Sequence, residues 1–266
     1  MNKQIELTKM QNDEDKILIA KVIDKIKFVE SRNRFESTDF LDLRQQGIVK
    51  EILDKRKHDC NVFVGGYEEA ERKIVIFYPD NIDKEYVKEK LIEQFLNIIS
   101  IKLPNELKEK YEHRNYLGGL MKLGIKREKI GDIIVRDDGA DIIVKNEIAN
   151  YISSNIVGLT RFQKSKVSIK EINELIYIPN EKEYIKINIP SMRLDCIVGE
   201  LARCSRNDAN KYLEEERVFV NFKEEMRASK IVNEGDYITI RGKGRFRIDK
   251  ILGNTKSGRI SLQIEK

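Results

Sequence analysis

Between residues 194 and 264 the apolar residues change their spacing once, and that change limits what this part of the chain can fold into. Leu194, Ile197, Val198 and Leu201 fall at i, i+3, i+4 and i+7, one face of a helix. Ser205 follows as a candidate N-cap, its hydroxyl able to accept from the free amides of the next turn. A second helix then carries Ala209, Tyr212 and Leu213 inward, with Asn207 and Lys211 on its opposite side. From Val218 onward the period is two. Val218–Asn221, Tyr237–Ile240 after the Gly235-Asp236 turn, and the alternation Ile260, Leu262, Ile264 read as strands. The order is two helices, then strands.

Upstream the pattern is mixed. Ile17, Leu18, Ala20, Val22, Ile23, Ile26 and Val29 predict a helix over residues 12–31, and Leu41, Leu43, Ile48, Ile52 and Leu53 predict another, with Asp39 as its cap. Val62-Phe63-Val64 and Ile74–Tyr78 read as strands around Gly65-Gly66, the second ended by Pro79. Helices are predicted over 83–95, 106–122 and 146–154. Strands are predicted at Ile98–Leu103, Ile133–Val135, Ala140–Val144 and Val167–Ile169, and a linker near Pro179–Pro190. Alternation of this kind predicts an α+β chain with three parts: a mainly helical region (1–75), a small α/β sandwich (76–180) and a C-terminal domain (188–266).

Composition excludes several classes. With 40% hydrophobic and 36% charged residues the chain builds packed cores under a charged surface and is not of disordered composition. No stretch approaches the ~20 apolar residues of a membrane span, and the polar N-terminus lacks the apolar core of a secretory signal, so a cytoplasmic protein is expected. Three cysteines, Cys60, Cys196 and Cys204, do not make a disulfide framework, and two histidines do not complete a zinc set, so no metal or cofactor is expected. His58-Asp59-Cys60 reads as an exposed loop before a buried strand. The net charge of +5 is concentrated: residues 181–266 hold 18 basic and 14 acidic residues, and residues 241–259 hold seven Arg or Lys against one Asp. A concentrated basic stripe points to a polyanion, although a bare charge run is as readily a solvated face.

Ser191, Arg193-Leu194-Asp195, Ser205-Arg206, Ala209, Leu213, Val218, Val220-Asn221, Ser229-Lys230, Gly235-Asp236, Ile238 and Arg241-Gly242 stand in the order and spacing of an S4 RNA-binding domain. Further upstream, Phe63–Arg72 (FVGGYEEAER), Asn115–Met121 (NYLGGLM), Leu123-Gly124-Ile125, Arg127–Ile133 (REKIGDI) and Tyr151-Ile152 resemble the YlmH family of bacterial S4 proteins over most of the chain. The resemblance implies a small RRM-like fold in the middle and a C-terminal S4 domain whose two helices form an L and present basic residues to RNA. It also implies association with the large ribosomal subunit and tRNA, in rescue of split subunits that still hold peptidyl-tRNA, possible company of a nascent-chain tailing factor, and a genetic link to cell division. Two residues depart from the pattern. Glu216 and Phe222 stand where glycine is usual, and a left-handed backbone costs a non-glycine residue about 1 kcal/mol.

On these grounds Arg193 and Arg206 are the first candidate phosphate ligands, since guanidinium groups make planar bidentate contacts and Arg206 opens a helix. The alternative for both is pairing with a nearby acid within the fold. Asn207, Lys211, Arg217, Asn221 and Lys230 extend the site, and Arg241, Lys243, Arg245 and Arg247 form a basic hairpin-like stretch with glycines between. Phe246 is read as core. Lys122, Lys126, Arg127 and Lys129 could widen the footprint. Asp195 is read as a structural partner of a basic neighbour rather than a catalytic residue. No nucleotide-loop motif or nucleophile arrangement occurs, so a monomeric, non-enzymatic RNA-binding factor is expected, bound to large-subunit rRNA and tRNA and not to a membrane. The alternatives are an RNA-modification enzyme with an unrecognised site in residues 80–180, and an adaptor in cell division for which RNA binding is secondary.

Overall fold

The computed structural model describes residues 13–177 and 183–266. The chain divides into two compact units, Met1–Ile178 and Pro179–Lys266.

In the first unit, helix α1 (Asp13–Arg32) begins with three acids and ends with Arg32, charges that complement the helix dipole. It buries Ile19, Val22, Ile23, Ile26 and Val29 along one stripe. Helix α2 (Leu43–Arg56) is capped by Asp42, not Asp39. The Asp42 carboxylate accepts from the Gln45 amide, and the Gln45 side chain accepts from the Asp42 amide. Asp39 lies before this turn, because Leu41 is still bridged to Lys73 in extended backbone; its carboxylate takes Lys129 at 2.6 Å instead. Strands β1 (Glu36–Ser37), β2 (Asn61–Val64) and β3 (Ile74–Phe77) make an antiparallel sheet ordered β1-β3-β2. Val75 and Phe77 of β3 pack with α1 and α2, while Ile74 and Ile76 face a second sheet.

That second sheet holds β4 (Leu96–Lys102), β5 (Ile130–Arg136), β6 (Gly139–Lys145) and β7 (Lys166–Glu171) in the antiparallel order β5-β6-β4-β7. Between them run α4 (His113–Lys122) after β4 and α5 (Asn146–Asn155) after β6; the short α3 (Lys84–Glu89) precedes β4. Ile99, Ile101, Ile142 and Val144 pack against α4 and α5, and Ile98 and Ile143 pack against β3. The unit is thus a stack of helices, small sheet, large sheet and helices. Two expected helices are shorter than their periodicity suggested. The one predicted over 83–95 gives way to a single 3₁₀ turn at Leu91–Gln94, which turns Leu91 and Ile92 into the core. The one predicted over 106–122 begins only at His113, after Glu109 takes a positive φ of 59°.

The stretches that carry the family resemblance in this unit are mostly architectural. Asp132 of β5 accepts from the Tyr67 hydroxyl (2.8 Å) and from the amides of Glu71 (2.7 Å) and Arg72 (3.1 Å), fixing the β2–β3 loop to the large sheet. The Arg72 guanidinium donates to the carbonyls of Ile130 and Phe40, both at 3.1 Å. Arg127 donates to the carbonyls of Ile130 and Gly131. A Cβ on Gly65 would lie 2.5 Å from the Arg72 carbonyl, and one on Gly119 the same distance from the Phe162 ring, so both positions require glycine. His58, read as part of an exposed loop, packs instead on Phe77 with ring centroids 6.1 Å apart.

The second unit consists of β8 (Tyr184–Ile189), α6 (Leu194–Ala202), α7 (Arg206–Glu214), β9 (Val218–Val220), β10 (Lys223–Glu224), β11 (Tyr237–Ile240), β12 (Gly244–Asn254) and β13 (Ile260–Glu265). The sheet order is β10-β9-β11-β12-β13-β8, all antiparallel. Much of the expected linker is therefore a strand. β8 pairs along its whole length with β13, from Ile189 opposite Ile260 to Tyr184 opposite Glu265, and buries Ile187 and Ile189. The rest of that linker, up to residue 182, lies outside the described residues. Leu194, Ile197, Val198, Leu201, Ala209 and Leu213 form the core with one face of the sheet, and Phe246 belongs to it. Both departures from the family pattern sit in left-handed backbone, Glu216 at φ 56° and Phe222 at φ 65°.

Replacing Glu216 with glycine is expected to raise the unfolding free energy by up to about 1 kcal/mol, the left-handed cost less the added freedom of the unfolded chain; urea unfolding would read it. Asp132→Ala, which leaves two amides and a phenol without their acceptor, is expected to cost about 2–3 kcal/mol in the same assay.

Candidate nucleic-acid interface

Helix α6 starts where the chain is pinned from two sides. Arg193 bridges to Ile231, and the first-turn amides of Leu194 and Asp195 donate to the carbonyls of Lys230 (2.8 Å) and Ala228 (3.2 Å). Within this turn Asp195 is 1% exposed. Its carboxylate accepts Nε and Nη2 of Arg193 (3.1 and 2.9 Å), Nε and Nη2 of Arg206 (2.8 and 2.7 Å) and the amide of Cys196 (2.9 Å). Burial opposes ionisation of this carboxyl, but the hydrogen bonds from Arg193, Arg206 and Cys196 outweigh it and hold the group well below the usual carboxylate range.

The pairing alternative is therefore what the fold adopts, yet it leaves the arginines accessible: the Arg206 side chain is 61% exposed and that of Arg193 is 35% exposed. Each guanidinium turns its Nε and Nη2 edge to Asp195, and the rest of its donor fork is not used in that contact. The two guanidiniums and one carboxylate make a fixed cluster of net positive charge at the elbow between α6 and α7.

The elbow itself follows from local chemistry. Arg203 ends α6 in left-handed backbone, φ 53°, with its amide donating to the carbonyls of Gly199 and Glu200. Ser205 then caps α7 as expected, accepting from the Asp208 amide at 3.2 Å. A cavity of about 550 Å³ opens here, bordered by Asp195, Glu200, Arg203, Ser205, Arg206 and Arg259. Arg203 and Arg259 were not singled out from the sequence. Arg259 reaches the Asn188 carbonyl and Glu200 (2.8 Å) because β13 lies beside β8, and reading β8 as a linker hid that neighbour.

The other candidates fall into two groups. Asn207 and Lys211 are exposed on α7, with Lys211 paired to Asp208 at 2.9 Å. On the face of the sheet turned away from the helices, guanidinium groups lie over rings: Arg241 over Phe219 (4.9 Å), Arg245 over Phe222 (5.3 Å) and Arg247 over Tyr237 (5.8 Å); Arg217, just past the end of α7, lies over Tyr212 of that helix (4.4 Å). Arg217 also donates to the Arg241 carbonyl, and Arg247 pairs with Glu265. Lys243 is exposed in the β11–β12 turn, and Lys230 is half-buried beside the start of α6. Asn221 is engaged within the fold: its amide donates to Asp236 at 2.7 Å and accepts from the Tyr237 amide at 3.0 Å. In the first unit Arg127 is taken up by backbone carbonyls and Lys129 by Asp39 and Glu147, which removes both from a wider basic footprint.

Among the described residues, no helix is long and apolar enough to cross a membrane and no group of three or more His, Cys, Asp or Glu could hold a metal ion.

Comparison with known proteins places the chain in a family. Residues 92–175 match the family described as "Putative RNA-binding domain in YlmH". The ribosome-associated protein quality control protein P2 of Bacillus subtilis (strain 168) is 30% identical over 255 residues, 95% of each chain. Among solved structures, the cell division protein ylmH from Streptococcus pneumoniae shares the fold with a TM-score of 0.50 at 21% identity, over 64% of this chain and 98% of that one. The chain is thus a two-unit α+β protein with an exposed, acid-anchored arginine pair. It belongs to the YlmH family.

Asp195→Asn is expected to cost about 2–3 kcal/mol at pH 7, the range for hydrogen bonds to charged groups. Because the folded-state pKa lies below the ordinary 3.8, the carboxylate's contribution is complete above that value and is lost as pH falls through the folded one. The gap between wild type and variant, measured by chemical unfolding, should therefore be full at pH 5 and shrink below pH 3.8.

Proposed function

We propose that this protein is an RNA-binding factor of the large ribosomal subunit, engaging rRNA and tRNA in the rescue of stalled subunits that carry peptidyl-tRNA. The reading is of a binding factor without a catalytic step. The observation that carries it is the Arg193–Asp195–Arg206 cluster: two guanidiniums held in fixed orientation and partly exposed, where phosphate oxygens meet concentrated positive charge. The full-length similarity to a protein named for ribosome-associated quality control supports it, and the RNA-binding description of the family matched by residues 92–175 supports RNA binding by the chain as a whole, though not by this cluster.

In this reading residues 188–266 form an S4 domain, with α6 and α7 as its L-shaped RNA face. Arg193, Arg206, Asn207 and Lys211 meet the RNA backbone first, and Arg217, Asn221, Lys230, Arg241, Lys243 and Arg245 lie at its margins. The central region, residues 76–180, is RRM-like, supported by its β4-α4-β5-β6-α5-β7 order and the strand sequence β5-β6-β4-β7. The sheet face opposite α4 and α5 packs Ile98 and Ile143 on β3, so that face is not open for base stacking, and any RNA contact of this region is made by its other surfaces. Contact is to shape and phosphates, so affinity should fall steeply with salt.

Removing Arg193 and Arg206 alone would strand the buried Asp195 carboxylate, so the informative variant is Arg193→Ala, Asp195→Ala, Arg206→Ala together, with Asp195→Ala as its control. The triple variant should lose at least about tenfold in co-sedimentation with large subunits at moderate salt, with a shallower dependence of binding on salt. Co-sedimentation equal to that of the control would refute the assignment.

A further inference from the structure

The first unit contains a buried lysine that the RNA-binding reading does not use. Lys145, the last residue of β6, is 7% exposed. Its amine donates to the Ser37 hydroxyl and to the Thr38 carbonyl (3.2 Å), and lies 5.5 Å from the centre of the Phe95 ring. All three are neutral, and no carboxylate among the described residues pairs with it.

This lysine forms part of the wall of a cavity of about 710 Å³, within the size range of small-molecule sites. Five segments meet there: α1, β1, the turn before β4, the turn before β5, and the β6–α5 junction. Four lysines and three carboxylates line the cavity, and two of the lysines take all three carboxylates: Lys25 pairs with Glu36 at 2.7 Å, and Lys129 with both Asp39 and Glu147 at 2.6 and 2.5 Å. Lys145 in the wall and Lys21, exposed on α1 one turn from Lys25, are the two lysines not used in those pairs, and the lining keeps one positive charge in excess. Phe35 and Phe95 give the same cavity two half-buried aromatic rings.

We propose that this cavity is a binding site for a small phosphorylated ligand with a planar ring, of the size of a mononucleotide. The phosphate is held between Lys145 and Lys21, and the ring lies against Phe35 and Phe95. Burial pushes the Lys145 amine down to about 8 although Asp39 and Glu147 pull it up, so the protein alone under-compensates this charge. A buried amine of this kind beside a cavity with convergent polar groups is a common mark of a ligand site. The site lies wholly within the first unit and stands independently of the S4 reading.

Isothermal titration of the full chain with adenosine and guanosine 5′-monophosphate, the matching nucleosides and inorganic phosphate tests it. At least one monophosphate should bind, at least tenfold tighter than its nucleoside. Lys145→Met, close in length and without charge, should weaken that binding at least tenfold, and Lys21→Ala several-fold. Lys145→Met is expected to fold, since it removes an uncompensated buried charge, and a thermal melt checks this. Should it not fold, Lys21→Glu at the rim decides in its place. Absence of binding by either monophosphate up to about 10 mM, equal affinity for nucleotide and nucleoside, or binding unchanged in the folded variant overturns the proposal.

Discussion

A single buried carboxylate organises the C-terminal unit. Asp195 sits in the first turn of α6, loses nearly all contact with water, and recovers its solvation from five N–H donors. An ionised group in such a place is tolerated only when its hydrogen-bonding capacity is filled. That requirement ties the residue before α6 to the first residue of α7, which fixes the turn between the two helices, and it leaves both arginines held from one edge. In the first unit Asp132 does the same for a different irregular segment, gathering a phenol and two loop amides onto β5. In each unit a carboxylate orders backbone that hydrophobic packing alone would leave underdetermined.

Anchoring also resolves an apparent conflict in the arginine pair. Internal pairing and external contact compete when a cation has one point of charge, as a lysine does. A guanidinium has a planar fork whose edges are chemically separate, so one can be fixed while another meets a phosphate. The entropy of ordering a long side chain is then already lost in the folded protein rather than at binding. Lys211, held by Asp208 through its only ammonium, lacks this advantage.

Much of this was legible in the sequence, and the failures have particular causes. The switch from period 3.6 to period 2 located α6, α7, β9, β11 and β13, and the Ser205 cap was read correctly, because each is a local signal. Glu216, at a helix end where left-handed backbone is often needed, does adopt it, and so does Phe222, the other position where glycine is usual. β8 was hidden because its Tyr184, Ile185 and Lys186 are exposed and only Ile187 and Ile189 turn inward, a pattern that makes sense only beside β13, more than seventy residues later. Asp39 and Asp42 both precede the apolar run of α2, but only Asp42 has Gln45 three residues on to complete a reciprocal cap. The pairing of Lys129 with Asp39 was beyond reach of any local rule, since the two lie ninety positions apart.

The same distinction separates the two sets of basic residues in the C-terminal unit. At the elbow the partner of the arginines is a buried charge, so their orientation is fixed by bonds that solvent and salt reach poorly. On the outer sheet face the guanidiniums of Arg241, Arg245 and Arg247 lie over aromatic rings at 4.9–5.8 Å, contacts that hold them more weakly than a buried carboxylate does. Cross-strand register sets that spacing: Thr239 stands between Phe219 and Arg245, and Tyr237 stands opposite Arg247. The two sets of arginines thus differ in how firmly they are held, and in each the difference is set by what lies beneath the arginine rather than by the arginine itself.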